Sequence, residues 1–293
     1  MFGLFPPDDP FLLNIGFLQL RWYGVCIVGG AMLAAYIASR RAVPHGFSAD
    51  DVWNQLMLGL ALGVLCARLY YVAFSWQERF AGQSLLYILN PQNGGLAIHG
   101  ALIGAFLSAV IYTRWRGLPF WQWADICLPT VLVGQAIGRL GNFFNQEAYG
   151  RPVENGLPPF GLRIEQQHRV DPFRTMAQYP FDTTFFHATF LYELSWNLLG
   201  FGLIMWLERR LHGWLRSGDL AAFYAIWYGV GRFWVEALRT DSLCTNGIGG
   251  ACGEAFRAAQ LASIALVLIG LVGLVFNHLR SVRSAQAQVE AQV

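Results

Sequence analysis

The stretch Phe223–Asp241, FYAIWYGVGRFWVEALRTD, decides how this chain is read. Leu220–Leu238 has about the length and apolar character that crossing some 30 Å of hydrocarbon requires, yet it carries Arg232 and Glu236. A charge near the centre of a span costs about 2.5–3.5 kcal/mol on insertion scales unless it finds a partner or water. Tyr228, Arg232 and Glu236 follow at four-residue steps, with Arg239 three further on, so all four share one helical face. A continuous polar stripe on an otherwise apolar span belongs on the interior of a helix bundle. Taken alone, the Arg232–Glu236 pair also reads as an internal ion pair that only fixes packing.

Composition extends this reading to the whole chain. Of 293 residues, 55% are hydrophobic and only 13% charged, with a mean hydropathy of +0.39; soluble domains carry about 25% charged residues. The net charge of +2 is small and scattered, no basic run interleaved with aromatics occurs, and all basic residues are Arg. Nucleic acid is therefore not an expected partner. The start, MFGLFPPDDPFLLNIG, lacks the basic region that opens a signal peptide, so the first apolar run is expected to stay as a span.

The expected fold is all-α, a polytopic membrane protein. Seven transmembrane helices are predicted, at about 18–38, 53–75, 96–113, 121–137, 187–207, 220–238 and 256–276. Arg-bearing connections follow spans one, three, five and seven (SRRAVPHG, TRWRG, ERRLHGWLRSG and HLRSVRS), which puts that side in the cytoplasm. The N-terminus, the 77–95 loop, the 138–186 segment and the 239–255 loop then lie outside, and the C-terminus inside. The chain reads as one integral-membrane domain, 1–293, with 138–186 as a small extracytoplasmic head between spans four and five.

Other polar residues join the stripe. Arg68 lies in span two and Glu193 in span five; Arg139 closes span four at the outer surface. His99 follows Asn93, Gly94 and Gly95, a turn signal that leaves it in the first helical turn, where exposed N–H groups favour an anion and a neutral imidazole. His99 reads otherwise as an interfacial packing residue. Counted along their helices, His99, Arg139 and Arg232 are expected at one depth in the outer half. Between spans four and five, Gly138–Gly150 reads GRLGNFFNQEAYG: two Gly bracket Arg139, Asn142 and Asn145 offer donors and acceptors, and Glu147 adds a carboxylate to orient an Arg. Arg suits phosphate because its planar fork makes paired charge-assisted bonds. The alternative is a re-entrant turn whose Asn side chains only satisfy backbone groups.

With these residues in view, the sequence resembles the prolipoprotein diacylglyceryl transferase family. Gly138–Glu147, closing at Gly150, is similar to that family's signature, and RWYG at Arg21–Gly24, Arg68 with Tyr71, GGLAIHG at Gly94–Gly100, HATFLYE at His187–Glu193 and YGVGRFWVEALR at Tyr228–Arg239 follow in the family's order. Ala188 and Phe190 depart from the family's usual Pro and Gln, while His187, Tyr192 and Glu193 are kept. The resemblance implies transfer of the diacylglyceryl group of phosphatidylglycerol to the lipobox Cys thiol of a prolipoprotein, with glycerol phosphate released. It implies phosphatidylglycerol, the prolipoprotein signal peptide and membrane lipid as partners, and the bacterial inner membrane as location.

Under that resemblance His99, Arg139 and Arg232 are the expected catalytic residues: His99 as base or headgroup donor, the two Arg as a phosphate clamp. Tyr23, Tyr228, Asn142, Asn145, Glu147, Gly150, Glu236 and Arg239 are expected in substrate binding, with Arg68, His187 and Glu193 as secondary candidates. A free thiol is only about 3% ionised at pH 7, so a base or positive field would raise its reactive fraction. No metal-ligand spacing recurs among the six His, so neither metal nor cofactor is expected. Cys26, Cys66 and Cys127 read as small apolar residues in spans. Cys244 and Cys252 read as a disulfide across a short outer loop or as free thiols at an interface. A transporter for an anionic solute is the main competing reading; the lack of internal repeats and the one-sided polar residues weigh against it.

Overall fold

The fold is taken from a computed structural model, which describes all residues except 1, 16, 17, 91, 92, 94, 155, 157, 245, 246, 249–256 and 291–293. The chain is mostly helical. Its long helices are α1 (Trp22–Ala42), α2 (Ala49–Phe74), α4 (Ile98–Arg116), α5 (Phe120–Phe144), α6 (Thr189–Arg210), α7 (Asp219–Leu238) and α8 (Ala258–Glu290); α3 is a single turn at Leu85–Leu89. Among the described residues, four helical stretches, Trp22–His45, Ala49–Phe74, Thr189–Arg210 and Ala258–Leu279, are long and apolar enough to cross a membrane. Their outward surfaces are apolar, as at Val28, Met57, Leu199 and Val272, each more than half exposed. Such surface is stable only against lipid or another apolar phase.

Among the described residues, three pairs of short strands add to the expected all-α fold. β1 (Phe2–Leu4) runs parallel to β4 (Phe160–Leu162), β2 (Phe11–Ile15) pairs antiparallel with β3 (Leu18–Arg21), and β5 (Leu243–Cys244) with β6 (Gly247–Ile248). Leu18–Arg21 was expected to open span one. It is a strand instead because it pairs from Phe11↔Arg21 to Ile15↔Leu18, and α1 starts only where Trp22 N–H donates to the Pro10 carbonyl.

The chain divides into two compact units, Met1–Ala34 with Leu128–Val293, and Ala35–Cys127. In the second, Ser48 caps α2 by accepting from Asp50 N–H, and Asp50 and Asp51 occupy its positive end. α2 and α4 approach closely because Gly100 and Gly104 lie against the backbone of Cys66, Ala67 and Leu62, where any Cβ would collide. Close backbone approach through small residues is how apolar helices associate where lipid removes the hydrophobic drive.

In the first unit, α6 and α7 are locked by a reciprocal pair. Trp196 and Trp227 stack at 4.3 Å between centroids, and each indole N–H donates to the other's backbone carbonyl, at 3.0 and 2.9 Å. Gly200 and Gly231 supply the space the rings need. The 145–188 segment packs a core of Tyr149, Leu162, Ile164, Phe186 and Ala188, joined by Phe190 of α6. Arg169 is buried in it, donating to the carbonyls of Ile164 and Tyr179 and lying over the Phe186 ring. Burial lowers its pKa.

Candidate active site

The GRLGNFFNQEAYG stretch is not a loop throughout. α5 continues through Phe144, so Arg139 lies more than one turn inside the helix. Apolar Leu140, Phe143 and Phe144 extend the helix: Leu140 and Phe143 pack on the 145–188 core and Phe144 stacks on Trp22. The chain then turns sharply, with positive φ at two non-glycine residues, Gln146 (53°) and Ala148 (56°). That conformation costs on the order of 1–3 kcal/mol per residue and persists only where neighbours enforce it. Here Gln146 is buried and its Oε1 accepts from Glu165 N–H at 2.9 Å, while the Thr189 hydroxyl donates to the Ala148 carbonyl. Neither Gln146 nor Thr189 was singled out in the sequence, because nothing in their local pattern reports φ.

This turn, the start of α6 and the end of α7 together assemble the site. Glu193, in the second turn of α6, holds two arginines with one carboxylate: Oε2 pairs with Arg139 Nε of α5, and Oε1 accepts from Arg232 Nη1 of α7 at 3.2 Å. Arg232 Nη2 pairs with Glu236, one turn further on, at 2.6 Å. The carboxylates are the deeper partners, with side chains 8% and 3% exposed against 22% and 18% for Arg139 and Arg232. Each buried charge is thus paired, which its desolvation demands, while the guanidiniums keep an accessible side. Glu193 was only a secondary candidate; its bridging of two helices is invisible along the sequence.

A second chain of contacts continues from Arg139. Its Nη1 donates to Asn142 Oδ1 at 3.2 Å; Asn142 Nδ2 donates to Glu147 Oε1 at 2.9 Å, and Asn145 Nδ2 to the same oxygen at 3.4 Å. Glu147 therefore fixes the two amides rather than orienting an Arg directly. Tyr23, in the first turn of α1, lies against Gly141, where a Cβ would fall 2.6 Å from its ring. Tyr228 stacks on Tyr224 at 5.9 Å. The expected residues Tyr23, Arg139, Asn142, Asn145, Glu147, Glu193, Tyr228, Arg232 and Glu236 all belong to this unit.

Gly150 and Arg239 meet in an isolated antiparallel bridge. Gly150 N–H donates to the His187 carbonyl at 2.9 Å and Arg151 N–H to that of Leu238 at 2.9 Å. Arg239 forms a two-bond fork with Asp241, at 2.9 and 2.7 Å. Burial would raise the Asp241 carboxyl, but this pairing outweighs it and holds the carboxyl below its ordinary value. His187 Nδ1 lies 3.0 Å from the Tyr192 hydroxyl, and burial lowers the pKa of its imidazole, favouring the neutral form. Asp241 and Tyr192 were not among the expected site residues, although each lies within five residues of its partner in sequence.

His99 and Arg68 belong to the other unit. His99 is the second residue of α4, after Gly95 with φ 81°, and is exposed beside Tyr70 at 5.8 Å between ring centroids. Arg68 is buried, donating to the carbonyls of Ile88, Tyr87 and Gly95 and lying over the Phe80 ring. Its geometry is that of a tie for the 75–95 connection. Cys252 lies outside the described residues; Cys26 and Cys66 are free thiols. Among the described residues no group of His, Cys, Asp and Glu could hold a metal ion.

A family model described as prolipoprotein diacylglyceryl transferase matches residues 10–276. The chain belongs to the prolipoprotein diacylglyceryl transferase family. Its similar relatives include the phosphatidylglycerol–prolipoprotein diacylglyceryl transferase of Chloroflexus aggregans, 53% identical over 94% of this chain and 92% of that protein. The transferase of the same name from Geobacillus kaustophilus is 42% identical over 87% of each chain, and that of Streptococcus suis 42% identical over 82% of this chain and 84% of its own. The relatives' shared name gives them phosphatidylglycerol, an anionic phospholipid, and a prolipoprotein as substrates.

Proposed function

We propose that this chain is a phosphatidylglycerol–prolipoprotein diacylglyceryl transferase, an enzyme of lipoprotein biosynthesis in the membrane. The observation that carries the reading is the Arg139–Glu193–Arg232 bridge in a chain of this family: two guanidiniums from different helices, held apart at fixed spacing with sides open to a ligand. In the reaction the lipobox Cys sulfur forms a thioether bond to the glyceryl carbon as that carbon's bond to the phosphate oxygen breaks. The thiol proton goes to a base, and glycerol phosphate leaves with the bonding electron pair. The diester's single negative charge thus grows towards two. Cations positioned before the reaction stabilise that growth, and losing one such donor costs about 10²–10³ in rate.

In this reading Arg139 and Arg232 clamp the phosphate, Asn142, Asn145 and Glu147 shape the headgroup pocket with Tyr23 and Tyr228, and His99 takes the thiol proton. All seven long helices span the inner membrane, N-terminus outside, with the 145–188 segment as an extracytoplasmic head and the site on that side. The four Arg-bearing connections support this orientation, and Cys244 and Cys252 would then face an oxidising compartment as a disulfide.

The test is transfer of a labelled diacylglyceryl group from phosphatidylglycerol to a lipobox peptide by purified protein. Wild type transfers label; Arg139→Ala and Arg232→Ala each lose about 10²–10³ in rate. Near wild-type rates in both variants refute the clamp, and an active His99→Gln with an unchanged pH profile removes His99 as the base.

A further inference from the structure

The two arginines are electrically cancelled before any substrate arrives. Glu193 touches both and Glu236 touches Arg232, so two positive charges face two negative ones, and the negative ones are the more buried. Among the described residues, Arg139 Nη2 and Arg232 Nε make no hydrogen bond, which leaves donor hydrogens for a phosphate on guanidiniums whose charges are already paired. The carboxylates meet the desolvation cost of buried arginines in any anion site. A site built to turn over gains further from them, because product and substrate differ in charge: glycerol phosphate carries up to two negative charges at neutral pH where the lipid phosphodiester carries one.

We propose that Glu193 is a positioning residue with two effects: it fixes the spacing of the Arg139 and Arg232 guanidiniums, and its charge holds down the site's affinity for anion so that glycerol phosphate leaves. This rests on the transferase reading above. Binding energy that tightens ground state and product without favouring the transition state adds nothing to turnover. Donors locked in place by a shared carboxylate still act on the charge that develops during C–O cleavage. One carboxylate serves both helices because each oxygen faces a different guanidinium, so removing its charge and altering its reach are separable experiments.

Purified wild type, Glu193→Gln and Glu193→Asp are titrated with glycerol phosphate by calorimetry and assayed for transfer. Gln removes the charge and keeps the length. Glycerol phosphate then binds roughly tenfold tighter or more, the effect of one unit charge at ion-pair distance in a partly buried site, and KM for phosphatidylglycerol and kcat both fall. Asp keeps the charge and draws it back by one methylene, so kcat falls while glycerol phosphate affinity stays at the wild-type value. A purely structural Glu193 would weaken anion binding in both variants, and that result, or unchanged affinity in Gln, overturns the proposal. If Gln prevents folding, Glu236→Gln removes the other counter-charge without touching Arg139 and must itself tighten glycerol phosphate about tenfold; unchanged or weaker binding overturns the proposal as well. Wild type that binds glycerol phosphate but transfers no lipid refutes the transferase reading, while the titrations still decide the role of the charge.

Discussion

Gly138 and Gly150 stand within thirteen residues of one another, and alanine at each should have a different fate. At Gly150 an added Cβ would lie 2.7 Å from His187 Cβ, 3.1 Å from Thr189 Cγ2 and 3.2 Å from the Leu238 carbonyl oxygen. None of these is the loose end of a flexible side chain, so the backbone must move, and the move disturbs the bridge to Arg239 and its fork with Asp241. Overpacking of this kind costs about 1–3 kcal/mol. Gly150→Ala should therefore lower the unfolding midpoint in detergent and, by shifting the end of α7, reduce diacylglyceryl transfer. Gly138 is the internal control: nothing lies within 4 Å of its virtual Cβ and it is helical, so Gly138→Ala should hold or raise stability, by up to about 1 kcal/mol. Thermal unfolding of both variants by circular dichroism, with the transfer assay, decides the matter. Equal midpoints, or a Gly150→Ala protein with wild-type rate, would refute the reasoning.

Further outcomes follow from other contacts. Burial keeps the His187 imidazole below its ordinary value of 6.5; the unfolded chain takes up a proton that the folded one resists, so its contribution to stability is full above about pH 6.5 and is lost as pH falls. His187→Gln should flatten the slope of unfolding midpoint against pH between about 5 and 7; an unchanged slope removes His187 as its source. Asp219 is fully buried and accepts from Arg216 N–H, Asn277 Nδ2 and His278 Nε2, so Asp219→Ala should destabilise by about 2–4 kcal/mol in chemical unfolding. Gly231→Ala places a methyl in the Trp196 ring and should cost about 1–3 kcal/mol, with a shift in tryptophan fluorescence as the stacked pair separates. Wild-type emission and stability would show that the reciprocal indole bonds do not form.

Much of the helical frame was legible because a lipid-facing helix writes its own signature. Apolar runs, glycine turns and a polar stripe at four-residue steps are local facts, and the long helices stand where these features put them. The stripe on α7 was readable because Arg232 and Glu236 share one helix. The turn at 145–150 was not, since Gln146 and Ala148 carry no residue type that signals left-handed backbone; Thr189 and Glu165, distant in sequence, enforce it. The β2–β3 pairing was likewise missed, because Leu18–Arg21 is apolar enough to pass for the first turn of a span and only its partner strand makes it extended.

The sequence by itself determined that this chain is a largely helical membrane protein of the diacylglyceryl transferase family, with arginines kept inside apolar segments. Composition and spacing suffice for the helical membrane reading, because the cost of burying charge in lipid acts on each segment separately; the family rests on the resemblance of the Gly138–Gly150 motif and the segments that accompany it. Which carboxylate neutralises which arginine was decided only in three dimensions. Glu147, the nearer acid in sequence to Arg139, fixes two asparagines, whereas Glu193, 54 residues away by its number, takes Arg139 and Arg232 together. Ion pairing depends on distance and burial, and helix packing, not chain order, sets both.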